Sequence, residues 1–374
     1  MIPVLLTLLL ALSLCTAAAF ADEAETMTAQ ALVEAGYAAL DAHDDETALE
    51  YFRQAADQGD PAGQTALGWM YRFARGVEQD NEKALEYFRL AADQGYADAK
   101  YNLGLAYALG EGVEQDYERA LEYFTLTAEH GMPEAQYNLG EMYASGKGVE
   151  QDSDQALSYF RQAADQGLAD AQYMLGAMYA SGDGVPQDSA QALTYYQSAA
   201  EQGQESAQYA LGMMYYYGKD VKQDFEKAAS YFRLAADQGS PEAQVCMAMM
   251  YAEGTGVPQS NEKMLEYYQL AVDQNYAVAQ SNLGWVYATG RYVKADYKKA
   301  LQLLQQAADQ DEASAVAMLG AMYCDGMGVE QDFEKAAEYF RQAVMLGDES
   351  SLDLLKELVE AGHISADFLA DLPE

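Results

Sequence analysis

The sequence predicts an all-α fold, a right-handed α/α superhelical solenoid of helix hairpins. The first observation is a repeat, because a Leu-Gly pair recurs every 36 residues along most of the chain. It stands at Leu67-Gly68, Leu103-Gly104, Leu139-Gly140, Leu175-Gly176, Leu211-Gly212, Leu283-Gly284 and Leu319-Gly320, and Met247-Ala248 takes its place once. The second observation is that apolar residues inside each repeat follow the helical period. A fixed period with helical patterning is typical of solenoids, in which neighbouring repeats bury one another's apolar faces.

One repeat, residues 135–170, shows how each hairpin is built. Its first helix carries an apolar face of Ala135, Leu139, Met142 and Tyr143, and Gly140 leaves room for a close neighbouring helix. The segment Gly146-Lys147-Gly148 ends this helix and turns the chain, and Val149 fills the turn. We expect Asp152 to cap the second helix. That helix has apolar residues through Ala164, and Gly167 ends it.

The recurring residues A-x-x-x-L-G-x-x-Y, G-x-G-V-x-Q-D and A-x-x-Y-F-x-x-A-A-x-x-G resemble the Sel-1-like repeat family. The resemblance implies an α/α solenoid related to tetratricopeptide repeats, with adaptor or scaffold work through a superhelical groove. We place eight such repeats in residues 63–350. Residues 22–62 contain a shorter, tetratricopeptide-like hairpin that we expect to cap the N-terminal end. Residues 351–374 break the repeat and are predicted to form a C-terminal capping helix, ending near Gly362, and a tail.

Residues 1–21 have the pattern of a signal peptide. They carry no charged side chain, and a short apolar run is followed by Ala19-Phe20-Ala21. We expect cleavage before Asp22 and a periplasmic or secreted mature protein, with no stable membrane insertion afterwards. Cys15 leaves a lipoprotein signal as the alternative, although Leu14 stands where that signal needs a small residue.

The charge of the chain restricts its partners. With 60 acidic and 21 basic residues, the formal net charge is −39. Phosphate backbones and anionic bilayers are repelled by such a surface, so we expect a protein or peptide partner and no nucleic acid. The mature chain is expected to be monomeric. Cys246 and Cys324 lie two repeats apart and are expected to be buried free thiols.

The sequence predicts no catalytic residue, cofactor or metal site, and therefore no enzyme. His43, His130 and His363 lack a second histidine or cysteine at ligand spacing. Ser260 and Lys263 match the S-x-x-K motif of serine β-lactamases. Other repeats place an aspartate where Ser260 stands, so the serine is interpreted as a helix cap. The alternative function is a β-lactam or cell-wall hydrolase, as the resemblance implies for cysteine-rich secreted members, whose paired cysteines this chain lacks.

Candidate partner-binding residues follow from helical geometry. Counting from the alanine that opens each repeat, positions 3, 7 and 10 of the first helix point away from the core, into the predicted groove. We call these positions the first-helix face. The candidates on it are Trp69, Tyr101, Tyr137, Tyr173, Tyr209, Met213, Tyr216, Met249 and Trp285.

Two classes of candidate differ in how strongly packing explains them. The tyrosines at position 3 recur in four successive repeats, so packing between repeats is the alternative to ligand contact. The tryptophans, the only two in the chain, occupy position 7, which is elsewhere as varied as Glu141 and Ala177. Because packing does not require an indole at this position, a binding role is favoured.

Overall fold

The computed structural model describes residues 27–370 and 372, and the predicted signal peptide lies outside them. The described residues form helices and connecting loops, in two compact units that meet in sequence between Asp188 and Ser189. The first unit contains α1 (Ala29–Asp41), α2 (Asp45–Asp57), α3 (Pro61–Arg72), α4 (Asn81–Asp93), α5 (Ala97–Leu109), α6 (Tyr117–Glu129), α7 (Pro133–Ser145), α8 (Ser153–Asp165) and α9 (Ala169–Ser181).

The second unit has the same kind of elements. It contains α10 (Ser189–Glu201), α11 (Glu205–Tyr217), α12 (Phe225–Asp237), α13 (Pro241–Glu253), α14 (Asn261–Asp273), α15 (Ala277–Thr289), α16 (Tyr297–Ala308), α17 (Ala313–Asp325), α18 (Phe333–Met345) and α19 (Ser350–Glu360), followed by a short 3₁₀ helix, Ala366–Leu369. No helix in this described part of the chain is both long and apolar enough to cross a bilayer. The predicted all-α solenoid of helix hairpins is confirmed.

Within each unit, a first helix packs most closely against the second helix that follows it. This holds for α1–α2, α3–α4, α5–α6 and α7–α8, and for α11–α12, α13–α14, α15–α16 and α17–α18. Each second helix also packs against the first helix of the next hairpin, as α4 does against α5 and α14 against α15. The core is thus a continuous layer between hairpins, because a single hairpin cannot bury its own apolar faces.

The predicted glycine of the Leu-Gly pair is required by a close helix contact. A Cβ atom on Gly140 would lie 2.6 Å from Cδ1 of Phe160, which is fully buried on the second helix of the same hairpin. The same pairing, with the phenylalanine at the twentieth position after the glycine, occurs at Gly68 and Phe88. The ring lies directly over the first helix, so the glycine allows two helix backbones to approach around one aromatic side chain.

The predicted ends of the helices are confirmed in the 133–168 repeat. Gly146 ends α7 in the left-handed region at φ 71°, and Asp152 accepts a hydrogen bond from the backbone N–H of Gln155 at 3.0 Å. Gly167, two residues after the end of α8 at Asp165, has a φ of 92°. A second glycine, Gly148, is needed because a Cβ there would lie 2.6 Å from the carbonyl oxygen of Tyr117, at the start of the preceding second helix.

The described chain has a helix hairpin at its N-terminal end and a single helix, followed by a short 3₁₀ helix, at its C-terminal end. At the N-terminal end, α1 and α2 pack together, with Leu32 and Phe52 fully buried. At the C-terminal end, α19 packs on α18 through Leu355 and Leu358 and ends before Gly362, as the sequence predicts. The domain boundaries drawn from sequence remain a prediction, and helix α3 begins at Pro61, two residues before the first predicted repeat.

Candidate partner-binding surface

The two tryptophans lie at the edge of the core and are half-buried. Trp69, on α3, packs against the core of the first two hairpins, and Trp285, on α15, packs against the core of its own unit. At the same position of another repeat, Glu141 is exposed, which shows that position 7 reaches solvent. Each indole therefore keeps part of its surface at the first-helix face.

Trp69 is held in place by residues that follow it in the chain. Its ring lies 5.0 Å from that of Phe73, and the guanidinium of Arg75 lies 5.8 Å from its centre. Arg75 is itself fixed, since it donates two hydrogen bonds of 2.6 Å to the carboxylate of Asp45. A tryptophan held in this way loses little side-chain freedom when a partner contacts it.

Trp285 has a corresponding arginine. The guanidinium of Arg291 lies 5.8 Å from the Trp285 ring and 5.4 Å from the ring of Tyr292. In both repeats the arginine stands six residues after the tryptophan. No other repeat has an arginine there, and the residues at that position are Glu111, Lys147, Asp183, Lys219, Thr255 and Met327. The six-residue spacing from tryptophan to arginine is visible in the sequence and could have predicted the cation–π pairs, but sequence reasoning missed it.

A cavity of about 240 Å³ opens beside Trp69. It is formed by α1, α2, α3 and α5, and therefore by three successive hairpins. Its lining residues are Tyr37, Leu40, Phe52, Thr65, Ala66, Trp69, Asp98 and Asn102. Sequence reasoning placed Tyr37 and Phe52 in the capping hairpin and did not connect them with Trp69, because they are distant in the chain.

The tyrosines at position 3 contribute to the fold and are also partly accessible. The rings of Tyr101, Tyr137 and Tyr209 each lie 5.7 Å from the buried phenylalanine of their own hairpin. The hydroxyl of Tyr101 also accepts a hydrogen bond of 3.1 Å from Nδ2 of Asn138 in the next repeat. Tyr173 takes the same position and is half-buried. These contacts account for the recurring tyrosine by packing, mainly within one hairpin.

A second aromatic cluster lies in the other unit, around Tyr216. Its ring contacts those of Tyr217 and Phe225 edge-on, at 5.1 and 5.4 Å. Tyr217 is 65% exposed and Met249 is 43% exposed, while Met213 is half-buried. The cluster leaves apolar surface in contact with water on α11 and α13.

The expectation that position 10 faces away from the core is wrong in two repeats. Ala252 and Ala288, which share position 10 with Tyr216, are only 4% and 3% exposed. The physical reason is that successive first helices contact each other, as α13 does with α15 and α15 with α17. In repeats where the contact with the next first helix is weaker, the alanines at position 10, such as Ala108 and Ala144, are partly exposed.

Ser260 is a helix cap, as the sequence indicates. Its Oγ accepts a hydrogen bond from the backbone N–H of Lys263 at 3.3 Å. The Lys263 ammonium lies 5.0 Å from the ring centre of Tyr251, on the first helix of the same hairpin. Lys227 lies over Tyr215 at the same distance in the preceding repeat, where Asp224 is the cap. The S-x-x-K pattern is thus the ordinary cap and cation–π pair of this repeat, with serine in place of aspartate.

The cysteines are free, as expected, but they are less buried than expected. Both Cys246 and Cys324 are half-buried. Burial raises the pKa of Cys246 to about 11, which keeps it a neutral thiol near pH 7, and the Tyr209 hydroxyl lies beside it. In the described residues, no three histidine, cysteine or acidic side chains are grouped so that they could hold a metal ion.

The comparison with known protein families finds the same 36-residue period. The Sel1 repeat family model matches nine consecutive segments, residues 29–60, 61–96, 97–132, 133–168, 169–204, 205–240, 241–276, 277–312 and 313–348. The model thus includes α1 and α2 as a repeat. No curated protein sequence matches the chain.

Two solved structures share sequence as well as fold. One is a protective antigen present in uropathogenic Escherichia coli strains that displays an SLR fold. It is 34% identical, with a TM-score of 0.72, and the match covers 84% of this chain and 67% of that one. The other is a Sel1 repeat protein from Oxalobacter formigenes, also 34% identical, with a TM-score of 0.58 and coverage of 83% and 89%.

Proposed function

This chain belongs to the Sel1 repeat family, and we propose that it is a noncatalytic scaffold that binds a protein partner outside the cytoplasm. The binding surface is the first-helix face. The observation that carries the proposal is the pair of half-buried tryptophans at position 7, each placed beside an arginine. Large aromatic residues at the edge of a core are frequent anchors of protein interfaces.

Contacts between helices support a groove on this side. In both units, successive first helices contact each other, as α1 does with α3 and α15 with α17. Successive second helices contact each other less closely. In a stack of hairpins, the helices that are closer together line the inner side of the curve, which supports a groove on the first-helix face.

The position outside the cytoplasm is proposed from the signal-peptide pattern of residues 1–21. The description of the Escherichia coli relative as a protective antigen supports the same location. The acidic surface, with a net charge of −39, favours partners that are neutral or basic at their binding site.

The noncatalytic part of the proposal is supported by Ser260. A serine nucleophile needs a base within hydrogen-bond reach of its Oγ. Here Oγ accepts from the Lys263 backbone, while the Lys263 ammonium lies on Tyr251 and donates to its hydroxyl at 3.3 Å. Ser260 caps the helix and Lys263 contacts a tyrosine ring, as Asp224 and Lys227 do in the preceding repeat.

The experiment is capture of partners from envelope extracts with the mature chain, identification by mass spectrometry, and affinity measurement with variants. We expect Trp69→Ala or Trp285→Ala to weaken binding by about 2 kcal/mol or more, roughly thirtyfold in Kd. Leu90→Ala, which truncates an exposed apolar side chain on the second helix α4, outside the first-helix face, is the control and should bind as the parent does. Circular dichroism and thermal unfolding show whether each variant keeps its fold.

Unchanged binding by both folded tryptophan variants, or hydrolase activity that depends on Ser260, would contradict this proposal. If both tryptophan variants fold and bind with unchanged affinity, the first-helix face is not the binding surface. If a variant unfolds, that tryptophan has a structural role, and Trp→Phe at the same position then tests binding with the fold kept. Hydrolysis of nitrocefin by the purified chain, lost in Ser260→Ala, would favour the hydrolase alternative.

A further inference from the structure

The cavity beside Trp69 has an aromatic floor that is already ordered. Tyr37 and Phe52 contact each other edge-on, with ring centres 5.1 Å apart. Phe52 is fully buried, whereas Tyr37 is 52% exposed, so the floor runs from the core to solvent. On the opposite helix, Trp69 is fixed by Phe73 and Arg75. A ligand entering this space would meet apolar walls that need little rearrangement.

The polar atoms of this cavity include two hydrogen-bond acceptors, in addition to the Tyr37 hydroxyl and the Trp69 indole N–H. Thr65 uses its hydroxyl to donate to the carbonyl of Pro61 at 2.7 Å. Asn102 uses Nδ2 to donate to the carbonyl of Asp98 at 2.7 Å, which leaves its Oδ1 as an acceptor. The exposed carboxylate of Asp98 is a further acceptor. A carboxylate and a carbonyl oxygen beside aromatic rings favour a cationic ligand.

Asp98 has no cationic partner among the described residues. The arginines of the neighbouring α3 region are engaged elsewhere, since Arg72 pairs with Glu111 at 2.6 Å and Arg75 pairs with Asp45 at 2.6 Å. The Tyr96 hydroxyl is hydrogen-bonded to Asp98, and its pKa is raised to about 12, first by burial and then by the Asp98 charge. Burial and then the same charge also raise the pKa of Tyr37. One hydrogen bond to Tyr96 leaves the carboxylate further acceptor sites and a charge that no cation of the described residues pairs with, so it can take a charge from outside the chain.

We propose that this cavity binds a lysine or arginine side chain of the partner protein, with its aliphatic stem between Tyr37 and Trp69 and its charge on Asp98. The inference rests on the proposed function and adds the chemistry of the partner to it. Long basic side chains commonly bury their stems along apolar surface while the head group pairs at the edge. The net charge of −39 attracts a basic segment towards the whole chain. Asp98 and the aromatic walls make this cavity the preferred site for one of its side chains.

The test uses three sets of fluorescently labelled short peptides on the full mature chain. The sets have identical random flanks and differ at one central residue, which is lysine, Nε-acetyl-lysine or glutamate. Acetylation keeps the stem and removes the charge. We expect the lysine set to bind at least tenfold more tightly than the acetyl-lysine set, as measured by fluorescence anisotropy, and the glutamate set to bind more weakly still.

The matched variants are Asp98→Asn and Asp170→Asn. Both residues are exposed at the second position of a first helix, and both changes lower the net negative charge by one, but Asp170 does not line this cavity. We expect Asp98→Asn to weaken the lysine set at least tenfold and to remove its advantage over acetyl-lysine. Asp170→Asn should change the affinity less than twofold. Both substitutions are on the surface, and thermal unfolding should show unchanged stability.

Several results would overturn the inference. One is equal affinity for the lysine and acetyl-lysine sets, and another is no binding of the lysine set. A third is an equal loss of affinity in the two variants, which would indicate general charge attraction. If the inference fails while a captured partner still depends on Trp69 or Trp285, the proposed scaffold function stands and only the chemistry of this cavity is wrong. If neither tryptophan affects any captured partner, the proposed function itself fails.

Discussion

At the scale of single residues, the start of each second helix depends on one side-chain oxygen. Asp80, Asp152 and Asp224 each accept from the backbone N–H three residues later, at 3.0 Å. Ser260 makes the same bond at 3.3 Å. The first N–H groups of a helix have no partner inside it, so this one bond stabilises the helix against fraying.

Replacing Ser260 with alanine should destabilise the chain by about 0.5–2 kcal/mol, because an N–H of the first turn of α14 loses its partner. Ser260→Asp restores the residue found in most repeats and should equal or exceed the parent in stability. The measurement is the free energy of unfolding from urea titration, followed by circular dichroism. A Ser260→Ala chain as stable as the parent would contradict the capping role.

The Leu-Gly pair gives a second prediction, because one repeat replaces it with Met247-Ala248. In that repeat the second helix has Met264 and Tyr268 where the others have mainly alanine and phenylalanine, and all four residues are buried. Gly140→Ala should destabilise the chain by about 1–3 kcal/mol, because the new Cβ overlaps the Phe160 ring.

Ala248→Gly should also be unfavourable, by about 1 kcal/mol, because it removes a packed methyl group and loosens α13. Gly140→Ala and Ala248→Gly are opposite exchanges, and each should destabilise the repeat in which it is made. Thermal unfolding of the two variants is the measurement. Stabilisation by Gly140→Ala would mean that the Phe160 ring moves aside freely.

At the scale of helices, a pair of glutamines links neighbouring elements. Gln136 is 5% exposed near the start of α7, and its Oε1 accepts from Nε2 of Gln166, after α8, at 2.7 Å. Nε2 of Gln136 donates to the carbonyl of Ala128 in the preceding repeat at 3.4 Å. Gln136 thus connects its own hairpin to the one before it.

The same pairing recurs at a separation of 30 residues. It joins Gln64 to Gln94, Gln208 to Gln238, Gln244 to Gln274 and Gln280 to Gln310, at 2.8–3.0 Å. In one repeat the two positions are occupied by Val316, which is fully buried, and Leu346, which packs against the same cluster. The position therefore accepts a hydrogen-bonded pair or an apolar pair.

Replacing one glutamine of the pair should destabilise the chain more than replacing both glutamines. Gln166→Leu leaves the buried Oε1 of Gln136 without its partner and should destabilise the chain by about 1–3 kcal/mol. The double variant Gln136→Val, Gln166→Leu should recover most of this loss, because it reproduces the Val316 and Leu346 pair. A double-mutant cycle from urea unfolding measures the coupling, and additive losses would show that the two side chains act independently.

At the scale of the whole molecule, the repeats support one another only through their neighbours, and their common surface is strongly acidic. The signal-peptide pattern of residues 1–21 predicts that the chain is exported. The N-terminus of the exported protein tests the proposed location directly.

N-terminal sequencing of the exported protein should begin at Asp22, because Ala19-Phe20-Ala21 supplies small residues at the positions that signal peptidase recognises. Mass spectrometry of the intact chain provides an independent check. A mature start at Cys15 with an attached lipid would contradict the proposal of an unanchored protein, and an unprocessed Met1 would contradict export.

The sequence alone determined the helices, their ends and the repeat. These features follow from local chemistry, in which Asp152 caps a helix, Gly146 ends one and the apolar period gives each helix one buried face. The sequence also placed Trp69 and Trp285 outside the innermost core, because position 7 lies opposite the buried positions of the same helix.

Only the tertiary structure decided what surrounds those residues. The cavity beside Trp69 joins Tyr37, Trp69 and Asp98, which belong to three hairpins, and no local pattern relates them. The covered alanines at position 10 and the glutamine pairs also depend on how closely one hairpin packs on the next. The helical period fixes the direction of a side chain on its own helix, whereas its neighbours are fixed by distances between helices, which arise only when the hairpins stack.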